Sequence, residues 1–244
     1  MAEEKKESRP AGDEEAPRQQ AEPRPGGKAG MNRFTWDMRH RGPSGFPGMI
    51  LWAASLRGPV ALPGSYQVKL TANSQTKTEM FRIVRHPLIT NVSDEDLRAR
   101  FQMASAITSK VTQANEAVVG IRGLKGQIEE RLGKVADQKA AAKIVAAGKQ
   151  LAGKLTEVEG EIYQYRNQSS QDPLNYPIKL NNKLAALLGV VESAEAPPTE
   201  SARQAFRELS GRLDAELARL EALAQKDLAA FNKLLAARKL EPVK

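Results

Sequence analysis

The residues best suited to chemistry lie in the first quarter of the chain. Asp37 directly follows Trp36, and Trp52 comes shortly afterwards. A tryptophan can stack on a sugar ring, and an aspartate beside it could supply one of the two carboxylates that glycoside hydrolysis requires. No second carboxylate lies near Asp37 in the sequence. These three residues are therefore candidates for ligand contact, and the alternative is that both tryptophans anchor a sheet core.

Other residue types that carry chemistry are sparse. The sequence has no cysteine and two histidines, His40 and His86. Without cysteine there is neither a disulfide nor a thiolate ligand for a metal. Each histidine adjoins an arginine near glycine or proline, which is typical of a surface loop. The sequence shows neither a glycine-rich phosphate loop nor a nucleophile elbow. We therefore predict no catalytic residue, no metal and no cofactor.

A polar loop, residues 167–176, is a second place where hydrogen-bonding groups gather. Tyr163, Tyr165 and Arg166 precede it. The loop could present its asparagine, glutamine and serine side chains to a ligand. It could equally connect two helices, with Asp172 or Asn175 capping a helix end.

The net charge of +8 is unevenly distributed. Residues 31–92 hold eight Lys or Arg and two Asp or Glu, whereas the later part of the chain mixes both signs. Nucleic-acid binding generally needs a concentrated basic face with stacking aromatics. Because no apolar run approaches the roughly 20 residues that cross a bilayer, we predict no membrane span. We also predict no nucleic-acid partner.

The first 92 residues predict two regions. Residues 1–30 hold four prolines and no aromatic or branched aliphatic residue, so we expect a disordered tail or linker. Alternating apolar residues predict about four strands in residues 31–92. They lie around Trp36 and over residues 49–53, 66–72 and 77–84.

An immunoglobulin-type sandwich has about seven strands, so the β-domain is predicted to be a partial one. Its apolar surface around Trp36, Leu51 and Trp52 would then lack a cover. Exposed apolar β surface promotes association, so self-association of the chain is an expected consequence.

Residues 93–244 predict an elongated antiparallel bundle of about four helices. Apolar residues recur there at steps of three and four, and the second series runs from Ile144 to Tyr165. Ser93 with Asp96 indicates a capping box at the first helix start, and Gly133 indicates its end. The fold class is therefore α+β, and mainly α.

Three glycines interrupt the first helical segment, at positions 120, 123 and 126. Each lowers helix propensity by about 1 kcal/mol relative to alanine. They could permit close approach of a neighbouring helix or a bend. They could also be a weak stretch that the helix tolerates.

Three segments resemble a bacterial pattern: Asn32–Arg39, Pro63–Leu70 and Asn167–Leu187. They are similar, in the same order, to the C-terminal region of large bacterial proteins with sialidase-like (BNR or Asp-box), sortilin-like β-propellers. These proteins are often labelled glycosyl hydrolases. The resemblance covers roughly residues 30–240, and the third segment is its most specific part.

The resemblance implies a domain order of propeller, Ig-like β-domain and helices. It implies a secreted or periplasmic parent, although the residues after Met1 do not form a secretory signal. Because the chain shows no propeller blades and no Asp-box repeats, no active-site residue of that family transfers to it.

Three functional hypotheses follow from these observations. The first is a non-catalytic accessory module that packs against the upstream propeller or another protein. The second is a carbohydrate-binding or hydrolytic unit that uses Trp36, Asp37 and Trp52. The third is a free-standing helical adaptor with some affinity for anionic surfaces.

Overall fold

The computed structural model describes residues 26–135 and 141–244. Most of the predicted disordered tail, residues 1–25, lies outside the described part. The described chain is mainly helical, as predicted, with one small sheet. Its elements are β1 Gly64–Ala72, β2 Gln75–Ile83, α1 Asp94–Gly133, α2 Ala142–Ile162, α3 Leu180–Val191, α4 Glu200–Ala222 and α5 Ala229–Ala236.

A π-helical segment, Leu223–Leu228, joins α4 to α5 without a break, so the two form one long rod. The described residues therefore make four helical rods, as the sequence predicts. Within the described ranges, no helix has both the length and the hydrophobicity that crossing a membrane requires.

The predicted capping box at the start of α1 is confirmed. The Ser93 hydroxyl accepts a hydrogen bond from the Asp96 N–H at 3.1 Å, and the Asp96 carboxylate accepts from the Ser93 N–H at 2.9 Å. The hydrogen bonds from Ser93 hold the pKa of the Asp96 carboxyl below its ordinary value. The two hydrogen bonds of the capping box together satisfy N–H groups that a helix start leaves unpaired. The helix ends at Gly133, also as predicted.

Contacts between rods give their directions. Along α1, Arg122 binds Glu159 of α2, and Asn115 binds Asn181 of α3 further towards the α1 start. The α1 residue numbers fall as those of α2 and α3 rise, so both run antiparallel to α1. The 40 residues of α1 span about 60 Å, and α2 followed by α3 covers most of that length.

The last rod completes a three-column bundle. Lys110 in the first half of α1 contacts Asp214 of α4, and Arg131 near the end of α1 contacts Glu241 in the segment after α5. The rod of α4 and α5 therefore runs parallel to α1 and antiparallel to α2 and α3. The core lies along the seam between the columns. Its large apolar side chains with almost no exposure are Ile107, Val111, Val118, Ile121, Ile128, Leu155, Val158, Ile162, Leu184, Leu213, Phe231 and Leu235.

The β region differs from the prediction of about four strands, because the described residues form two. β1 and β2 pair antiparallel from Gly64 opposite Ile83 to Ala72 opposite Gln75. Asn73 and Ser74 make the turn with φ of 49° and 63°, as a tight hairpin turn requires. Strand-type pairing near Trp36 is limited, in the described residues, to an isolated bridge between Arg39 and Val60.

The segment 49–53, predicted as a strand, is irregular. It belongs to a longer loop, residues 38–62, which we call the strap and which lies along the helices. Met49 and Ile50 are buried, and Met49 joins the core that the helices form. The prediction was wrong because helix side chains bind the backbone of this segment where a neighbouring strand would otherwise do so.

Candidate interaction surface

A chain of buried asparagines holds the strap to the bundle. The Asn182 side chain accepts from the Trp52 N–H at 2.6 Å and donates to the Trp52 carbonyl at 2.8 Å. Asn181 donates to Asn115 at 3.1 Å, and Asn115 donates to the Ser44 carbonyl at 2.7 Å. The three amides are almost fully buried and cannot bind water. Each of these hydrogen bonds therefore replaces a hydrogen bond to water that is lost on burial.

Loss of one of these amides should have a measurable cost. Asn182→Leu removes two hydrogen bonds and leaves both backbone groups of Trp52 without their partners. We expect the free energy of unfolding to fall by about 2 kcal/mol, the usual penalty for unpaired, partly buried polar groups. Urea denaturation measures it. Asn175→Leu is the control at an exposed position, and a similar loss there would contradict the strap role of Asn182.

The aromatic part of the same contact is centred on Tyr163. Its hydroxyl accepts from the Ile50 N–H at 3.0 Å, and its ring meets the Phe46 ring edge-on at a centroid distance of 5.0 Å. The Arg122 guanidinium lies 4.8 Å from the Phe46 ring centroid, which suits a cation–π contact. The strap therefore fills the junction where α2 ends and α3 begins.

A buried carboxylate links this junction to α1. Glu159 of α2 is 2% exposed and binds Arg122 at 2.7 Å and Lys125 at 3.0 Å. Both cations are partly exposed, so they can be hydrated while the carboxylate cannot. The burial of Glu159 thus depends on its two partners.

The two ends of the strap are tied together and to α3. The Glu192 carboxylate accepts from Arg39 at 2.5 Å and from the Val60 N–H at 2.8 Å. The His40 N–H donates to the Pro59 carbonyl at 2.9 Å, which brings the two backbones side by side. Gly42 and Gly58 allow this approach, because a Cβ at Gly42 would lie 1.9 Å from the Leu56 carbonyl oxygen.

An aromatic cluster sits at the base of the hairpin. The rings of Trp36, Tyr66 and Phe81 lie 5.8–6.1 Å apart between centroids. The Trp36 indole N–H donates to the Arg39 carbonyl at 2.8 Å, which fixes the ring next to the strap. Trp36 is half-buried and packs against the sheet. This is the anchoring role predicted for the tryptophans as the alternative to ligand contact.

Beyond this cluster, the same face of the hairpin is open. Val68 and Leu70 follow Tyr66 on one face of β1, since side chains alternate along a strand. They are 52% and 57% exposed, respectively. We call the apolar residues of this face, Tyr66, Val68, Leu70 and Phe81, the hairpin face. Glu79 and Lys77 lie on the same side of the sheet, paired with Val68 and Leu70. The exposed apolar β surface therefore lies here, whereas Leu51, predicted to be exposed, packs against the core.

The other candidate ligand residues lie apart from each other. Asp37 is exposed and accepts from the Arg39 N–H at 3.0 Å, so it orders the turn after Trp36. Trp52 is 37% exposed and lies beside Asn182 at the start of α3. No described hydrogen bond or ring contact joins the two tryptophans. A sugar site made of these three residues stays a prediction.

Both histidines contribute to local structure. The His40 ring lies 5.0 Å from the Phe101 ring, and His86 accepts a hydrogen bond from the Leu88 N–H at 3.3 Å. Within the part of the chain that the structure describes, no cluster of three or more His, Cys, Asp or Glu could hold a metal ion.

The polar loop 167–176 folds onto its own groups. The Asp172 carboxylate accepts from the N–H groups of Gln168 and Ser169 at 2.6 Å and 3.0 Å. These bonds hold the pKa of the Asp172 carboxyl below its ordinary value. Asp172 also opens a short 3₁₀ turn, Asp172–Leu174. This geometry favours the connecting role for the loop.

A shallow cleft of about 390 Å³ lies between the strap and α3. Its walls include Ala53 and Ala54 of the strap and Ala185 and Gly189 of α3. Arg39 and Glu192, also on the wall, form the ion pair that ties the strap to α3. The charged pair in this cleft therefore has a structural role.

Comparisons with protein-family models, with curated proteins and with solved structures found no match to this chain.

Proposed function

We propose that the chain is a non-catalytic interaction module, in which the helical bundle holds the hairpin face against another protein domain. The observation that carries the proposal is the exposure of Val68 and Leu70 at the end of a hairpin whose base is already packed by Trp36. Apolar side chains that are covered at one end of a strand and open at the other are suited to receive a further apolar layer.

The energetics of small sheets support this role. An isolated two-stranded hairpin is marginally stable in water, and independent stability needs more strands or a covering layer. Here the described residues cover the base of the hairpin and leave the part towards the tip exposed, from Gln67 to Ala72 and from Gln75 to Met80. A partner that supplies the cover would stabilise the hairpin and bind through it.

The resemblance to BNR and sortilin-like proteins supplies the proposed partner. In that domain order, the hairpin and strap form the end of an Ig-like β-domain, and its other strands and the propeller come from the preceding part of the protein. The bundle then acts as a rigid support for this junction, in a secreted or periplasmic protein. Binding depends on surface complementarity, with no covalent step.

Charges on the hairpin face test the proposal. The upstream propeller and β-strands, produced as a separate polypeptide, are titrated with this chain by calorimetry. We expect Val68→Lys combined with Leu70→Lys to weaken binding at least about tenfold, because each lysine must be desolvated against an apolar layer. Gln67→Lys with Thr71→Lys adds the same charge on the opposite face and should leave the affinity within about twofold.

Two outcomes would contradict the proposal. One is equal loss of affinity in both double variants. The other is unchanged binding in the Val68 and Leu70 variant, which would place the contact elsewhere on the chain. Circular dichroism of each variant shows whether the helical bundle is intact.

A further inference from the structure

We propose that the outer edge of β2 pairs with the same edge of a second copy of this chain, forming a four-stranded antiparallel sheet across a two-fold axis. The site is the backbone and side chains of residues 75–81. This inference goes beyond the proposed function, because it uses the backbone edge of β2 and a second copy of the chain. Lys77 and Glu79 lie on the same side of the sheet as Leu70 and Val68, with which they pair.

The edge is available in the described structure. The sheet has two strands, so β2 pairs with β1 on one side only. All residues of β2 from Gln75 to Arg82 are exposed, so no described helix or loop covers this edge. An edge strand presents unpaired N–H and C=O groups, which form a template for another strand. β2 also contains no proline, whose missing N–H would weaken pairing at an edge.

The charges on β2 select both the partner and the register. Lys77 and Glu79 lie two residues apart on one face of the strand. An antiparallel pair of β2 strands centred on Thr78 places each Lys77 opposite the Glu79 of the second copy, twice across the axis. Centring on Glu79 or on Lys77 would instead oppose two like charges, which is unfavourable. In this register a β2 strand is complementary in charge to another β2 strand. This complementarity indicates a second copy of the chain as the partner.

The rest of the strand is compatible with this register. Thr76 comes to lie opposite Met80, and Gln75 opposite Phe81, so the pairing spans seven residues of each copy. Because the axis is perpendicular to the sheet, the hairpin faces of both copies lie on the same side. The two bundles are at opposite ends of the strands, since each hairpin base lies near the tip of the other hairpin.

A charge exchange tests the proposal with the whole chain. Sedimentation equilibrium across micromolar concentrations is expected to show a dimer for the natural chain. Lys77→Glu, or Glu79→Lys, creates two like-charge pairs and should raise the dimer dissociation constant at least about tenfold. The double variant K77E/E79K restores both opposite-charge pairs, so its dissociation constant should return to within about threefold of the natural value.

Three results would overturn this proposal: a natural chain that is monomeric throughout, single variants that dimerise normally, or a double variant that fails to recover. Val68→Thr with Leu70→Thr removes apolar surface beside Glu79 and Lys77 without adding charge. This variant should still dimerise while losing affinity for the partner domain, which separates this proposal from the proposed function. Circular dichroism confirms that each variant retains its helices.

Discussion

Replacing Arg122 and Lys125 together by methionine is expected to lower the free energy of unfolding by about 3–5 kcal/mol. The two cations are the partners of Glu159, whose carboxylate is 2% exposed. Methionine keeps most of the side-chain volume and removes the charge, so the carboxylate stays buried without a partner. Urea denaturation at neutral pH measures the loss.

The matched control removes the buried charge in the same background. Adding Glu159→Gln to the R122M/K125M variant should recover part of the lost stability, because a neutral amide is less costly to bury than a carboxylate. Glu159→Gln alone should cost less than the double variant, since Arg122 and Lys125 are partly exposed and can be hydrated. If the triple variant were less stable than R122M/K125M, the carboxylate would not be the source of the effect.

Alanine at Gly42 or Gly58 is expected to destabilise the protein by about 3 kcal/mol, the upper range for forcing atoms into a packed site. A Cβ at Gly58 would lie 1.8 Å from the His40 carbonyl oxygen, and one at Gly42 would lie 1.9 Å from that of Leu56. Both obstacles are backbone atoms, so the strap must open for either side chain to fit. Thermal unfolding and limited proteolysis within residues 38–62 report the opening.

Helix α1 supplies the control for the glycine variants. A Cβ at Gly120, Gly123 or Gly126 meets nothing within 4 Å, so these glycines are a tolerated weak stretch and not a close helix contact. Alanine there should stabilise the protein by about 1 kcal/mol per site. Equal destabilisation at Gly42 and at Gly123 would contradict the account of the strap.

The helical part was predictable because each signal there is local. Buried apolar residues recur along α1 at the predicted spacing, and the caps at Ser93 and Thr199 bind N–H groups three residues ahead. The prediction was wrong for one residue of the second apolar series, which was expected to run from Ile144 to Tyr165. Tyr165 was expected in the core, but α2 ends at Ile162 and Tyr163 is extended, so Tyr163 is buried and Tyr165 exposed.

The strap could not be predicted, since its contacts join distant parts of the sequence. An apolar run such as residues 49–53 fits a strand or a buried loop equally well, because both bury such side chains. What decides between them is Asn182 and Tyr163, which bind its backbone from more than a hundred residues away. Buried asparagines of this kind are the signal that sequence reasoning missed.

The candidate surface was predicted in part. The alternation over Tyr66–Ala72 indicated an apolar sheet face, and that face is present and open. Its position on the hairpin, rather than around Leu51 and Trp52, depends on where the strap packs. The alternation of apolar residues along a strand could not show which part of the β region the strap leaves exposed.

Hydrogen exchange measured by mass spectrometry tests the central claim most directly, by comparing the chain alone with the chain saturated by the proposed partner, a propeller with Ig-like β-strands. We expect slow exchange in the middle of α1, α2 and α3 in both states, because their hydrogen bonds are buried in the bundle. New protection on binding should be confined to residues 64–83 and the segment around Trp36. Protection on the outer surface of the helices, with the hairpin unchanged, would contradict the claim that the hairpin face is the docking surface.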